Sequence, residues 1–289
     1  MTTAPMNLLS EWIVRQAGEE GAWFASRLHS LSSGAASEQD LHIFLGLIPR
    51  KLGKQDLALT SEDVRRAELA HAGWRPQGWS IDGAARVAAL IGYQGPRPFA
   101  DTFKDLRRTA DAGELIALYR GLPLYPEPES LAFEVGEGLR SNMRAVFEAI
   151  AHDNPYARDH FDEHRWNHMV LKALFVGSRL SPVVGLDERA NPELARILLD
   201  YAHERWAAGR AVSPELWRCV GPFIDSLDAL DDLQRVMSGT ETERKAAVLA
   251  LTVNQSPRAR SLLAASPEVA RLVSEGHVDW NNLLQSEAA

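Results

Sequence analysis

The sequence predicts an all-α protein, an array of about a dozen short helices. Three observations predict it. Helix-start signals recur along the whole chain, apolar residues return at three- and four-residue spacing, and alternating strand patterns bounded by turns are absent. The start signals pair a capping residue with a proline: Asn154-Pro155, Asn191-Pro192-Glu193, Ser213-Pro214-Glu215, Ser256-Pro257 and Ser266-Pro267-Glu268. Proline suits the first helical position because its missing N–H would be unpaired there, the preceding Ser or Asn accepts from the next free N–H, and glutamate favours the positive end of the helix dipole.

Taken in order, helices are expected near 7–17, 20–31, 38–50, 61–71, 81–91, 98–108, 111–120, 128–138 and 140–152. A helix over 163–176 follows, with Asp162 as cap and Gly177 as stop. The clearest single helix is 192–208, capped by Asn191, with Leu194, Ile197, Leu198 and Tyr201 on one face and Gly209 as its stop. Further helices are expected near 214–225, 241–253 and 267–274.

The connectors are short and rich in Gly and Pro, such as Gly73–Trp79 and Gly121–Pro126. The 289 residues suit a single all-helical domain, with an N-terminal helical subdomain over 1–125 and a core over 126–289 as a possible division. An internal echo at an offset of 102 matches the segment around Val146, Pro155, Ala157 and Arg158 to that around Val248, Pro257, Ala259 and Arg260. Stacked helical hairpins of this kind build HEAT-like α-solenoids, so the arrangement expected is either solenoid-like or an irregular helical bundle.

Composition narrows the function classes. Lys and Arg number 31 against 39 Asp and Glu, a net charge of −8 with no dense basic stripe, which argues against a nucleic-acid partner. No run approaches the roughly 18 apolar residues of a membrane span, and the N-terminus lacks a basic segment followed by an apolar one. With Cys219 as the only cysteine, no internal disulfide and no Cys-based zinc site are expected, which suits a reducing cytoplasm. There is no Gly-rich phosphate loop, no Gly-x-Ser-x-Gly elbow and no His-Glu-x-x-His, and neither a cofactor nor a resident metal is expected.

A few positions are too polar for their surroundings. Lys172 lies in Met169–Gly177, where every other residue is apolar or Gly. A helix so apolar is expected to be buried, and a buried ammonium needs a carboxylate, for which Asp187, Asp200 and Glu204 are the nearby choices. The lysine could alternatively snorkel to solvent, or bind an anion or carbonyl in a pocket. Asp200, His203 and Glu204 share a helix face, as a general acid–base cluster or as a network that ties two helices, and Arg210 follows them. Asn154 reads as a cap, and Tyr156 beside it could present its hydroxyl to a cleft.

Weaker patterns are His160, His164 and His168, spaced four apart but interrupted by the helix start at Asp162, and the acidic run Asp225, Asp228, Asp231 and Asp232, whose spacing is not that of a magnesium site. Trp74 and Trp79 would either meet a partner or close their loop over the core.

Several of these segments together resemble the EboA-domain family of bacterial proteins. They are Ile48–Lys54, Asn154–Tyr156, Trp166–Ala173, Gly185–Asp187, Ala190–Ala195, Tyr201–Arg210 and Leu216–Pro222, within a stretch from about 40 to 260. The resemblance implies no catalytic residues. It implies a gene cluster that also encodes a TatD-like metal hydrolase, a UbiA-like prenyltransferase, a dehydroquinate-synthase-like protein, a sugar-isomerase-like barrel and a phosphodiesterase-like protein. That company points to synthesis of a secondary metabolite or lipid-linked precursor and its delivery across the inner membrane. The expectation is a cytoplasmic, non-catalytic accessory or scaffold protein that binds another protein of the cluster or a small precursor, with homo-oligomerisation open. The alternative is an enzyme with a polar site between the 163–176 and 192–208 helices, using Lys172, His203, Glu204 and Arg210.

Overall fold

The computed structural model describes residues 4–254 and 256–284, and they are all-α. Among the described residues there are seventeen α-helices, three short 3-10 turns and no strand; an isolated β-bridge joins Asp56 and Ser80. The chain divides into two compact units, Met1–Phe161 and Asp162–Ala289.

The N-terminal unit carries α1 (Ala4–Ala17), α2 (Glu19–Ser32), α3 (Glu38–Leu52), α4 (Ser61–Ala70), α5 (Ile81–Gly92), α6 (Phe99–Thr109), α7 (Ala112–Arg120), α8 (Ala132–Leu139), α9 (Arg144–Ala151) and α10 (Tyr156–His160). The C-terminal unit carries α11 (Glu163–Phe175), α12 (Pro192–Ala207), α13 (Leu216–Val220), α14 (Leu230–Met237), α15 (Glu241–Thr252), α16 (Pro257–Leu263) and α17 (Pro267–Ser274).

Each unit is organised around one central helix. In the N-terminal unit it is α5, whose sequence IDGAARVAALIG is buried along nearly its whole length and meets α1, α2, α3 and α7. Its small side chains let neighbours come close. At Gly92 a Cβ would lie 2.9 Å from Ser32 Oγ and 3.0 Å from Leu28 Cδ1, so side chains of α2 pack closely over this glycine. In the C-terminal unit the centre is α15, with Ala246 to Leu251 buried against α13, α14, α16 and α17. A solenoid repeat touches only its neighbours. Helix α5 instead meets four others, including α1, so the N-terminal unit is better described as an irregular bundle. The echoed segments do fold alike, as α9–α10 and α15–α16, but α15 is the centre of its unit and α9 lies at the end of its own.

The Gly/Pro-rich connector near residue 125 is stitched into the N-terminal unit. Tyr125 is buried with its ring 5.2 Å from that of Phe99 and 5.9 Å from that of Phe103, and the Tyr156 hydroxyl donates to Pro128 O at 2.7 Å. Trp74 and Trp79 likewise close their loop over the core: both are buried, and Trp74 lies between Trp12 and Trp79 at centroid distances of 5.7 and 6.1 Å.

Capping follows the sequence at most positions. Asp162 accepts from Arg165 N–H, Asn191 from Leu194 N–H and Ser256 from Ala259 N–H, and Gly177 and Gly209 sit at φ 73° and 65° beyond their helices. Two starts differ. Ser266 makes no capping bond through its side chain. Glu215 does not end up in a first turn: α13 begins at Leu216, and the Glu215 carboxylate, 1% exposed, accepts from Leu180 and Ser181 N–H at 2.7 and 3.1 Å. Helix α14 falls where no helix was expected; Asp231 and Asp232 occupy its first turn, where negative charge favours the helix dipole.

Candidate functional site

Lys172 is half-buried, and burial pushes its ammonium below the ordinary lysine range. The helix around it is not apolar-buried all round, since Phe175 is 77% exposed. Asp187 is held bidentately by Arg218 at 2.7 and 2.6 Å, and Asp200 by Arg196 at 2.8 Å. His203 Nε2 lies 2.9 Å from Asp232 Oδ1, joining α12 to α14, while Glu204 and Arg210 are exposed. Five cavities stand out among the described residues, and Lys172, Asp187, Asp200, His203, Glu204 and Arg210 border none of them.

Asn154 is 2% exposed and its side chain is fully used: it donates to Tyr119 O and Ala149 O, both at 2.9 Å, and accepts from Tyr156 N–H. Tyr156 is buried, its hydroxyl committed to Pro128 O. Asn154 borders a polar cleft of about 190 Å³ with Arg75, Arg120 and His152. His164 and His168 stack 4.3 Å apart on the exposed face of α11, and among the described residues no three His, Cys, Asp or Glu groups converge to hold a metal ion. The acidic run is dispersed, with Asp225 accepting from Asn254, Asp228 and Asp231 near Arg258, and Asp232 on His203. Burial pushes the Cys219 thiol up to about 12, so it carries no thiolate nucleophile near neutral pH.

The site with chemical content lies elsewhere, inside the N-terminal unit. Helices α3, α5, α6 and α7 enclose a cavity of about 130 Å³. Leu45, Leu90, Leu106 and Leu118, all buried, make its apolar walls. Arg86 supplies the charge. It projects from the central helix α5, between Ala85 and Val87, and is 9% exposed. Its Nη1 lies 3.0 Å from Glu114 Oε1, and no other ion pair or hydrogen bond engages its side chain among the described residues. Glu114 is fixed by its own helix: its Oε2 accepts from Asp111 N–H at 3.1 Å while its N–H donates to Asp111 Oδ1 at 2.8 Å, the capping box of α7. His42 stands at the exposed rim, and so does Gly46, where a Cβ would meet nothing within 4 Å. A partly paired guanidinium facing an apolar cavity is suited to hold an acceptor group of a small molecule.

The comparison that decides kinship is with family models. Residues 5–221 match the model described as metabolite traffic protein EboA. The chain belongs to the EboA family. No curated protein and no solved structure matches it. The EboA match takes in the whole Arg86 cavity and ends at Gly221, so α14, with the Asp232 that holds His203, lies outside it.

Sequence reasoning had a signal for Arg86. The criterion that selects Lys172, a charge in an otherwise apolar stretch, applies to the central helix α5 as well, where Arg86 and Asp82 are the only charges. What sequence alone lacked was the neighbour at Glu114 and the gap between four helices.

Proposed function

We propose that this EboA-family chain is a non-catalytic accessory protein that binds a small precursor in the Arg86 cavity, in a pathway that makes and exports a secondary metabolite or lipid-linked compound together with other proteins of its gene cluster. The observation that carries this reading is a nine-tenths buried arginine with one carboxylate partner, set against a leucine-walled cavity. Burying a guanidinium is costly unless its donors are met, and a core position would be filled more stably by an apolar residue. The family's description as metabolite traffic protein agrees with a binding role. Among the described residues no helix is long and apolar enough to cross a membrane.

Native mass spectrometry of the protein isolated from its own cells tests the reading. A small molecule retained by the parent chain and lost in Gly46→Trp, which blocks the cavity mouth, is the expected result; retention of nothing by either would sink it. The enzyme alternative, acting through Lys172, His203, Glu204 and Arg210, has less support, because Asp232 engages His203 and none of the four borders any of the five cavities described above.

A further inference from the structure

The Arg86 cavity has features that restrict what it can hold. The guanidinium carries five N–H donors in a planar fork. Glu114 Oε1 at 3.0 Å meets one edge and leaves the rest of the fork to the cavity. Two exposed arginines of this chain show one way in which such a fork is filled. Arg97 bridges Glu38 at 2.9 Å and Asp105 at 2.8 Å, and Arg196 bridges Glu193 at 2.7 Å and Asp200 at 2.8 Å. Each takes two carboxylates, one on either side. Arg86, far more buried than either, has one.

Four leucines and Ala110 make the apolar part of the wall, with His42 and Thr109 exposed at its edge, and the volume of about 130 Å³ is close to the roughly 150 Å³ of an apolar protein cavity that accepts one benzene. The mouth has a device of its own. Gly46 sits inside α3, where glycine costs about 0.5–1 kcal/mol relative to alanine. No neighbour demands it, since a Cβ there would point into open space. What its bare backbone provides is an unobstructed entrance.

We infer that the cavity binds a small apolar monocarboxylate about the size of one ring. Its carboxylate takes the open edge of Arg86, opposite Glu114, and its apolar body lies against Leu45, Leu90, Leu106 and Leu118. This rests on the reading that the chain binds a precursor in this cavity, and it adds the chemical class. A neutral carbonyl compound of the same shape accepts from the guanidinium more weakly, because a charged acceptor makes hydrogen bonds roughly twice as strong.

Calorimetric titration of the full-length protein with benzoate, benzamide and toluene at neutral pH tests the assignment. Benzoate is expected to bind at least tenfold more tightly than benzamide, with toluene weaker still. Arg86→Met should abolish the preference for benzoate, and Arg86→Lys, which keeps the charge but loses the fork, should reduce it. Gly46→Trp should abolish binding of all three with an unchanged circular dichroism spectrum. Equal binding of benzoate and benzamide, benzoate binding that survives Arg86→Met or Gly46→Trp, or no binding of any probe would each overturn the carboxylate assignment. The underlying reading fails separately: if the protein from its own cells retains a molecule lost in Gly46→Trp, the cavity still binds a precursor although not of this class.

Discussion

Arg86 and Glu114 join two helices of the N-terminal unit at 3.0 Å, and the same glutamate closes the capping box that starts α7. The carboxylate therefore has two duties, one to its own backbone and one to a guanidinium on the central helix. This sets the geometry of the cavity wall, because α7 cannot shift without loosening the only charged partner of Arg86 among the described residues.

Unequal effects follow for the two partners. Glu114→Gln leaves a buried cation facing a weak acceptor and should cost about 1–3 kcal/mol, whereas Arg86→Met replaces the cation with an apolar side chain and frees a carboxylate that is 32% exposed, and should cost less. Urea unfolding of both variants checks the order. A larger loss in Arg86→Met would show that the pair stabilises the core on balance.

Two glycines should respond in opposite directions. Gly46→Ala adds a methyl to open space in a helix interior and should stabilise by about 0.5–1 kcal/mol. Gly92→Ala puts its methyl 2.9 Å from Ser32 Oγ and 3.0 Å from Leu28 Cδ1 and should destabilise by about 1–3 kcal/mol. Thermal melts of the two variants measured side by side give the comparison.

Asp63 supplies a pH dependence. It is 2% exposed, accepts from Arg15 at 2.7 and 3.2 Å and from Thr60 N–H, and Arg15 above all holds it well below the usual carboxylate range. Because its folded-state value is depressed, the stability it contributes is present above the unfolded value near 3.9 and is lost as pH falls through the folded value. Asp63→Asn should lower stability by about 2 kcal/mol at neutral pH, and its deficit should shrink steadily below about pH 4. Denaturant midpoints across pH 2–7 test this; a deficit that stays constant to pH 2 would contradict it.

Glu215 should govern the connector ahead of α12. Its buried carboxylate accepts from Leu180 and Ser181 N–H, so Glu215→Ala leaves two donors unmet and should cost about 2–4 kcal/mol. Hydrogen exchange at those two amides should accelerate far more than exchange in α15. Uniform acceleration across the C-terminal unit would instead indicate a global loss of stability.

The helices themselves were legible in the sequence because their signals are local. Asn191, Asp162 and Ser256 cap the N–H groups they precede, Gly177 and Gly209 supply the left-handed residues beyond two helix ends, and none of this depends on what lies across the core. The EboA kinship was legible too, carried by runs such as Tyr201–Arg210 whose order survives without knowledge of the fold. Partners could not be read. Asp187 and Asp200 are near Lys172 in sequence, yet Arg218 and Arg196 hold them, since a planar fork matches a carboxylate at two points where an ammonium offers a point charge. Glu215 looked like a dipole residue at a helix start and became a buried acceptor for a loop 34 and 35 residues away. Thus the sequence by itself determined the all-α class, most helix boundaries and the family. Only the tertiary structure decided that α5 and α15 are the centres of their units and that Arg86 faces a cavity, because a cavity exists only where surfaces from separate helices fail to meet, and no single stretch of chain encodes that gap.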